Sequence, residues 1–241
     1  MKIKGFLLGV AAVSLMCSCV SRTDEGEKAK ADYDRALSDS IEIIRQEIDS
    51  CDSRISTLRS QINGWVGDFA TVSNPREAGS YMILNSFKNK YPLSSTGLVA
   101  RINDNGQFEL VAALSGKPFD CIVVQGPADT ATSTVVPNDQ ALNYRTAALT
   151  TVLFTGPAAD SIGGVISDNE LNPLKVTYMQ GKPVQTWNIP AENARMIAYT
   201  YRFYKSTREL SRLERRVPML HEKINLIRLH KDRSGQAQEG E

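Results

Sequence analysis

The chain has 241 residues with 28 Lys and Arg against 27 Asp and Glu, a formal charge of +1 with its histidines neutral. So even a balance gives no global electrostatic ground for binding nucleic acid or an anionic surface. It has only two histidines, and the HExxH, GxSxG, P-loop and GxGxxG patterns are absent, so the common signatures of metallopeptidases, serine hydrolases and nucleotide-binding enzymes are missing.

Lys2 and Lys4 precede the apolar run GFLLGVAAVSLM (5–16), which is too short to span a bilayer as a helix and reads as a secretory signal. The residues that follow decide what kind of signal it is. With Met16 three residues and Ser18 one residue ahead of Cys19, the segment resembles bacterial lipoprotein signals. That resemblance implies cleavage after Ser18, acylation of Cys19 with three chains, and a protein anchored by lipid in the cell envelope, at the outer membrane. Two or more chains give a stable attachment where one is marginal. TDEGE (23–27) is similar to the export tag of surface lipoproteins of Bacteroidetes, but Val20, Ser21 and Arg22 separate it from Cys19, so both the periplasmic and the outward face stay open. Residues 1–18 are thus read as signal peptide and 19–30 as a lipidated flexible tether. The tail 232–241 is likewise read as disordered.

From Ala31 the apolar residues Leu37, Ile41, Ile44, Ile48, Cys51, Ile55, Leu58 and Ile62 recur at alternating spacings of four and three, a heptad pattern that predicts helix 1 over 31–65. Gly64 and Gly67 mark its end. A second stripe, Met196, Tyr199, Phe203, Ser206, Leu210, Leu213, Val217, Leu220, Ile224 and Ile227, keeps the same alternation and predicts helix 2 over 190–231. It holds its phase across Pro218, which predicts a kink in a continuing helix. Helix 1 carries seven acids and four bases between Asp32 and Ile62, and helix 2 four acids and ten bases between Ala191 and Lys231, so their nets are −3 and +6. Opposite charge beside matching stripes predicts an antiparallel coiled-coil stalk.

Between the helices, short runs bounded by Gly, Pro, Asn and Asp read as strands: YMILNSF (81–87), GLVARI (97–102), QFELVAAL (107–114), FDCIVVQ (119–125), TSTVV (132–136), ALTTVLF (148–154), GGVIS (163–167), LKVTYM (174–179) and VQTWNI (184–189). NDNG (103–106) and QGKP (180–183) are hairpin turns. The fold class expected is α+β, with an all-β sandwich or barrel head over 66–189 inserted between the two stalk helices.

The chemistry on offer is sparse. Cys51, on a helix, and Cys121, in a strand-like run, read as small buried apolar residues. His221 and His230 lie nine residues apart on one helix, on different sides, and share no metal unaided. The acids of the middle region, Asp104, Glu109, Asp120, Asp129, Asp139, Asp160, Asp168 and Glu170, stand mostly beside turn residues, where short acids serve the local backbone. The aromatics of the first junction (Trp65, Phe69, Tyr81, Phe87, Tyr91) and of the second (Trp187, Tyr199, Tyr201, Phe203, Tyr204) read as one packed hub. Tyr201 and Tyr204 lie off the stripe and, with Arg212, Arg215 and Arg216, form the candidate partner surface, although a solvated, salt-bridged helix face is the preferred reading of the arginines. The expectation is a non-catalytic, lipid-anchored envelope protein without cofactor or metal. It binds protein or glycan, pairs with another envelope protein or itself, and takes no nucleic acid. The alternatives are an adaptor subunit of an envelope complex, in the manner of periplasmic adaptor proteins, and a carboxylate-based hydrolase of an envelope glycan.

Overall fold

In the computed structural model, which describes residues 24–74, 77 and 79–236, the first element is the long helix α1 (Asp24–Val66) and the last is α3 (Ala191–Gln236). Cys19 lies outside the described residues. Helix α1 begins seven residues before the Ala31 start that the heptads mark, so residues 24–30 of the expected tether are helical. Helix α3 is continuous through Pro218.

The chain between them contributes β1 (Phe69–Val72), β2 (Tyr81–Leu84), a 3-10 turn (Asn85–Lys90), β3 (Gly97–Asn103), β4 (Phe108–Ser115), β5 (Cys121–Gln125), β6 (Thr130–Thr132), β7 (Asn143–Arg145), β8 (Leu149–Phe154), helix α2 (Gly156–Asp168), β9 (Leu174–Gln180) and β10 (Lys182–Ile189). Two antiparallel sheets result, a six-stranded one in the order β1-β2-β3-β4-β8-β7 and a four-stranded one in the order β10-β9-β5-β6. Both predicted hairpin turns occur. Gly106 and Gly181 adopt φ of 70° and 68°, values an L side chain resists and glycine accepts freely.

The described residues among 49–218 form one compact unit, and those up to 48 with those from 219 form another. In the larger unit the six-stranded sheet turns Leu98, Ala100, Phe108, Leu110, Ala112, Val152 and Phe154 toward a core shared with α2, α3 and the four-stranded sheet. Tyr178 of β9 donates its hydroxyl to the carbonyl of Gly97 on β3 at 3.2 Å, tying one sheet to the other. The rings of Tyr201 and Tyr204 on α3 lie 5.2 and 5.6 Å from Phe108. Cys51 and Cys121 are buried and unpaired.

The expected all-β head on a separate coiled-coil stalk is overturned. Helix α2 occupies 156–168, where GGVIS reads as a strand, and the first half of α3 is a core element. The stripe through Met196, Tyr199 and Phe203 describes one face of α3, yet Ala194, Ile197, Ala198 and Thr200, off that stripe, are buried as well. A helix enclosed on several sides belongs to a core and not to a two-helix seam. The glycines that suggested a strand boundary serve close packing instead. A Cβ on Gly163 would stand 2.5 Å from the Tyr201 ring and 2.9 Å from Phe108, so only glycine lets α2 approach α3 and β4. TSTVV is strand only at Thr132, and YMILNSF turns into the 3-10 segment after Leu84.

The smaller unit, in its described residues, consists of 24–48 of α1 and 219–236 of α3. Ile44 and Ile48 on the first and Leu220 and Ile224 on the second are buried, so the two segments cover each other. The Tyr33 hydroxyl hydrogen-bonds His230 Nε2 at 2.7 Å, and Lys231 donates to Ser38 Oγ at 3.3 Å.

Candidate functional site

The second face of the six-stranded sheet is where the larger unit departs from ordinary core construction. Cross-strand partners share a face, so the registers Arg101↔Glu109, Val99↔Val111, Val111↔Leu153 and Ala113↔Thr151↔Tyr144 place an ionic half and an apolar half side by side.

The ionic half is built around Arg101, which is 1% exposed. Its Nη2 meets Glu77 Oε2 at 2.6 Å and its Nε meets Glu109 Oε2 at 2.7 Å. The guanidinium lies 3.6 Å over the Tyr81 ring and also donates to the Tyr91 hydroxyl. Asn103 donates to Glu109 Oε1 at 2.8 Å, and Asn74 to Glu77 Oε1 at 2.6 Å. Burial by itself lowers the pKa of Arg101, but the carboxylates of Glu77 and Glu109 and the Tyr91 hydroxyl outweigh it and raise it above the ordinary arginine range. Burial likewise pushes Tyr91 up to about 12. Arg101 therefore keeps its charge, and Tyr91 its phenolic proton, across the physiological range. A buried arginine needs this density of partners, because an unpaired charge in that position costs several kcal/mol.

Beside this cluster lies a cavity of about 360 Å³. Val111, Leu149, Leu153 and Thr151 of the sheet form its floor. Leu93, Pro92, Leu142 and the rings of Tyr91 and Tyr144 form its sides, and Asn74, Glu77, Gln140 and Thr146 bring polar atoms to it. The alternation of β8 builds the floor: Leu149, Thr151 and Leu153 are half-buried at the cavity while Thr150, Val152 and Phe154 enter the core. The volume suits a small molecule or one large side chain, and a mostly apolar lining with a few polar groups is what such sites use. Glu77 is the one carboxylate among the described lining residues, and its oxygens are already taken by Arg101, Asn74 and Tyr91. Glu109 stands behind Arg101. A pair of carboxylates converging on this space, as a glycoside hydrolase requires, is not assembled from the described residues. Elsewhere Asp139 caps its own turn by accepting from the Ala141 amide at 2.6 Å, and Glu170 pairs with Arg202 at 3.0 Å. Among the described residues there is no cluster of three or more His, Cys, Asp or Glu able to hold a metal, and no helix is long and apolar enough to cross a membrane.

The candidate partner surface does not come together as one patch. Tyr204 is 5% exposed and Tyr201 is half-buried against Gly163, so both tyrosines serve the core. Arg212, Arg215 and Arg216 are exposed. Of the five, Arg215 and the Tyr204 hydroxyl share a second hollow of about 500 Å³, with Arg208, Asp160 and the start of α2. There Arg208 donates to the Tyr204 hydroxyl at 2.7 Å. The expected aromatic hub divides in the same manner. Trp65, Phe69, Tyr199 and Phe203 do stack, with centroids 4.5 to 6.1 Å apart, whereas Tyr81 and Tyr91 gather on Arg101.

No family model, curated protein or solved structure matches this chain.

The Arg101 cluster carries a signal in the sequence. GLVARI and QFELVAAL each hold one charged residue inside an otherwise apolar run, and the NDNG turn between them puts Arg101 opposite Glu109. Glu77 and Tyr91 come from loops, and no period announces them.

Proposed function

We propose that this protein is a non-catalytic binding protein of the cell envelope, held by lipid at Cys19, that receives an apolar group of a protein or glycan partner in the cavity on the second face of its six-stranded sheet. The observation that supports this reading is the pairing of that apolar cavity with the Arg101 cluster beside it, which Glu77 and Tyr91 join to its lining. The Glu77 oxygens are held by Arg101, Asn74 and Tyr91, and burial keeps the Tyr91 proton in place at neutral pH. The adjacent Leu149, Leu153 and Val111 offer surface whose burial is worth roughly 25 cal/mol per Å². Such a site orients a ligand without reacting with it.

The experiment is occupancy of the cavity. Anilinonaphthalene sulfonate should bind the folded wild type with a gain in fluorescence, and Leu153→Trp, which fills the floor, should abolish the gain while leaving the far-ultraviolet circular dichroism unchanged. Equal dye binding by wild type and Leu153→Trp would overturn the cavity as the site. A Cys19→Ala variant should be released from the membrane fraction, and retention there would overturn the lipid anchor.

A further inference from the structure

The smaller unit leaves large apolar side chains in water. Met219, Ile43, Leu226 and Leu229 are 68, 63, 60 and 53% exposed, although the unit is only two helical segments. At about 100° per residue, Ile43 stands roughly 120° round α1 from the buried Ile44 and Ile48, and Met219 and Leu226 stand roughly 120° to 140° round α3 from the buried Leu220 and Ile224, in the same rotational sense. The two segments run antiparallel, with Tyr33 opposite His230 and the buried Ile48 toward Leu220. On antiparallel helices the same sense of rotation leads to the same side of the pair, so Ile43, Met219 and Leu226 lie on one side of the unit. They also lie at one level, since the Tyr33–His230 and Ser38–Lys231 contacts set Ile43 opposite the stretch between Met219 and Leu226.

We infer that this face is an interface between two copies of this chain, related by a two-fold axis parallel to the helices, so that α1 of each copy packs against α3 of the other in a four-helix arrangement. Three features point to a second copy as the occupant. First, such an axis preserves height along the helices, so Ile43 of one copy meets the Met219 to Leu226 stretch of the other, as an isologous contact requires. Second, the charges fit. Residues 24–48 carry eight acids and four bases, a formal −4, while 219–236 carry two acids and four bases, a formal +2. Ile43 is flanked at four residues on either side by Asp39 and Glu47, and the face of Met219 and Leu226 carries Lys223 and Arg233 together with the single acid Glu222. Exchanging α3 for its symmetry mate keeps every neighbour antiparallel and opposite in charge, the arrangement of up-down-up-down bundles. Third, both α1 helices start at the same end of such a dimer, which, on the reading that Cys19 is lipidated, brings two anchors to one bilayer. The dimer does not depend on the cavity or its ligand.

The test is sedimentation equilibrium on the whole mature chain carrying Cys19→Ala, up to about 100 μM, because the population of a dimer follows protomer concentration. The wild-type interface should give twice the monomer mass. Ile43→Glu combined with Leu226→Glu, at positions already exposed and so neutral to the fold, should return the mass to that of a monomer with unchanged circular dichroism. Leu171→Glu, at the most exposed large apolar side chain of the larger unit at 79%, should leave the dimer intact. A monomer at the highest concentration, a dimer that survives the double substitution, or dissociation by Leu171→Glu would each overturn the inference. A monomeric wild type would direct the search for an occupant to a different envelope protein.

Discussion

The two ends of α3 have one helical period and opposite surroundings. From Ala194 to Tyr204 the helix is enclosed: Ala194, Met196, Ile197, Ala198, Thr200, Phe203 and Tyr204 are all buried, on more than one face. From Met219 to Arg233 only Leu220 and Ile224 are buried, with Met219, Leu226 and Leu229 in solvent. A heptad stripe therefore reports which face of a helix is apolar, and it does not report how many neighbours the helix has. Ionic groups follow the same division. Arg101 is wrapped by two carboxylates and two tyrosines, whereas Arg54 and Arg59 reach Glu209 and Glu214 at 2.8 and 2.7 Å across open surface.

The strongest challenge to this contrast is Arg101→Ala. Removing the cation leaves Glu77 and Glu109 unpaired in a buried site, and urea unfolding should show a loss of about 3–5 kcal/mol. A loss below 1 kcal/mol would mean that water reaches the cluster and that the enclosure is not real.

Next comes a pair of truncations on the same helix. Ile197→Ala, at a fully buried position, should cost about 2–5 kcal/mol by the same measurement. Met219→Ala should stay within about 0.5 kcal/mol in the monomer, as surface substitutions do. Equal effects at the two positions would erase the distinction between the enclosed and the one-sided half.

Alkaline titration probes enclosure by another route. Tyr91, Tyr199 and Tyr201 are each pushed up to about 12, first by burial and then by neighbouring acids: Glu77 for Tyr91, Asp68 for Tyr199 and Asp160 for Tyr201. The unfolded chain releases these protons near 10, while the folded chain still holds them. The folded state thus binds more protons between about 10 and 12, and stability must fall as pH rises through that window. Phenolate absorbance should show these tyrosines silent at pH of about 11 in the folded protein and ionised after unfolding in urea.

The smallest effect belongs to the exposed ion pairs. Arg54→Ala should cost about 0.2–1 kcal/mol, less at high salt. The hydrogen bond from Arg54 holds the Glu209 carboxyl below its usual range, so this increment is present at neutral pH and disappears on acidification through the lowered value. In Arg54→Ala that acid dependence should be reduced.

Local patterns in the sequence determined the two long helices, most of the strands and both hairpin turns, because period, turn chemistry and glycine conformation act within a few residues. The ionic pair of β3 and β4 leaves a local trace too, although Glu109 by itself reads as one more acid near a turn, since a charge inside an apolar run needs a cross-strand partner at a register the turn sets. What only the tertiary structure decided was which surfaces the helices meet. Gly163 and Gly164 look like punctuation until Tyr201 is seen lying against them, and PAADSIGGVISD then reads as a helix with Ala159, Ile162 and Ile166 on its buried side. Tyr201 and Tyr204 fall off the heptad stripe and so suggest a free surface, yet the sheet covers them through Phe108. The cavity draws its walls from loops and strands between Asn74 and Leu153, and contacts at such separations leave no periodic trace, because their cost in chain entropy is met only by the assembled fold.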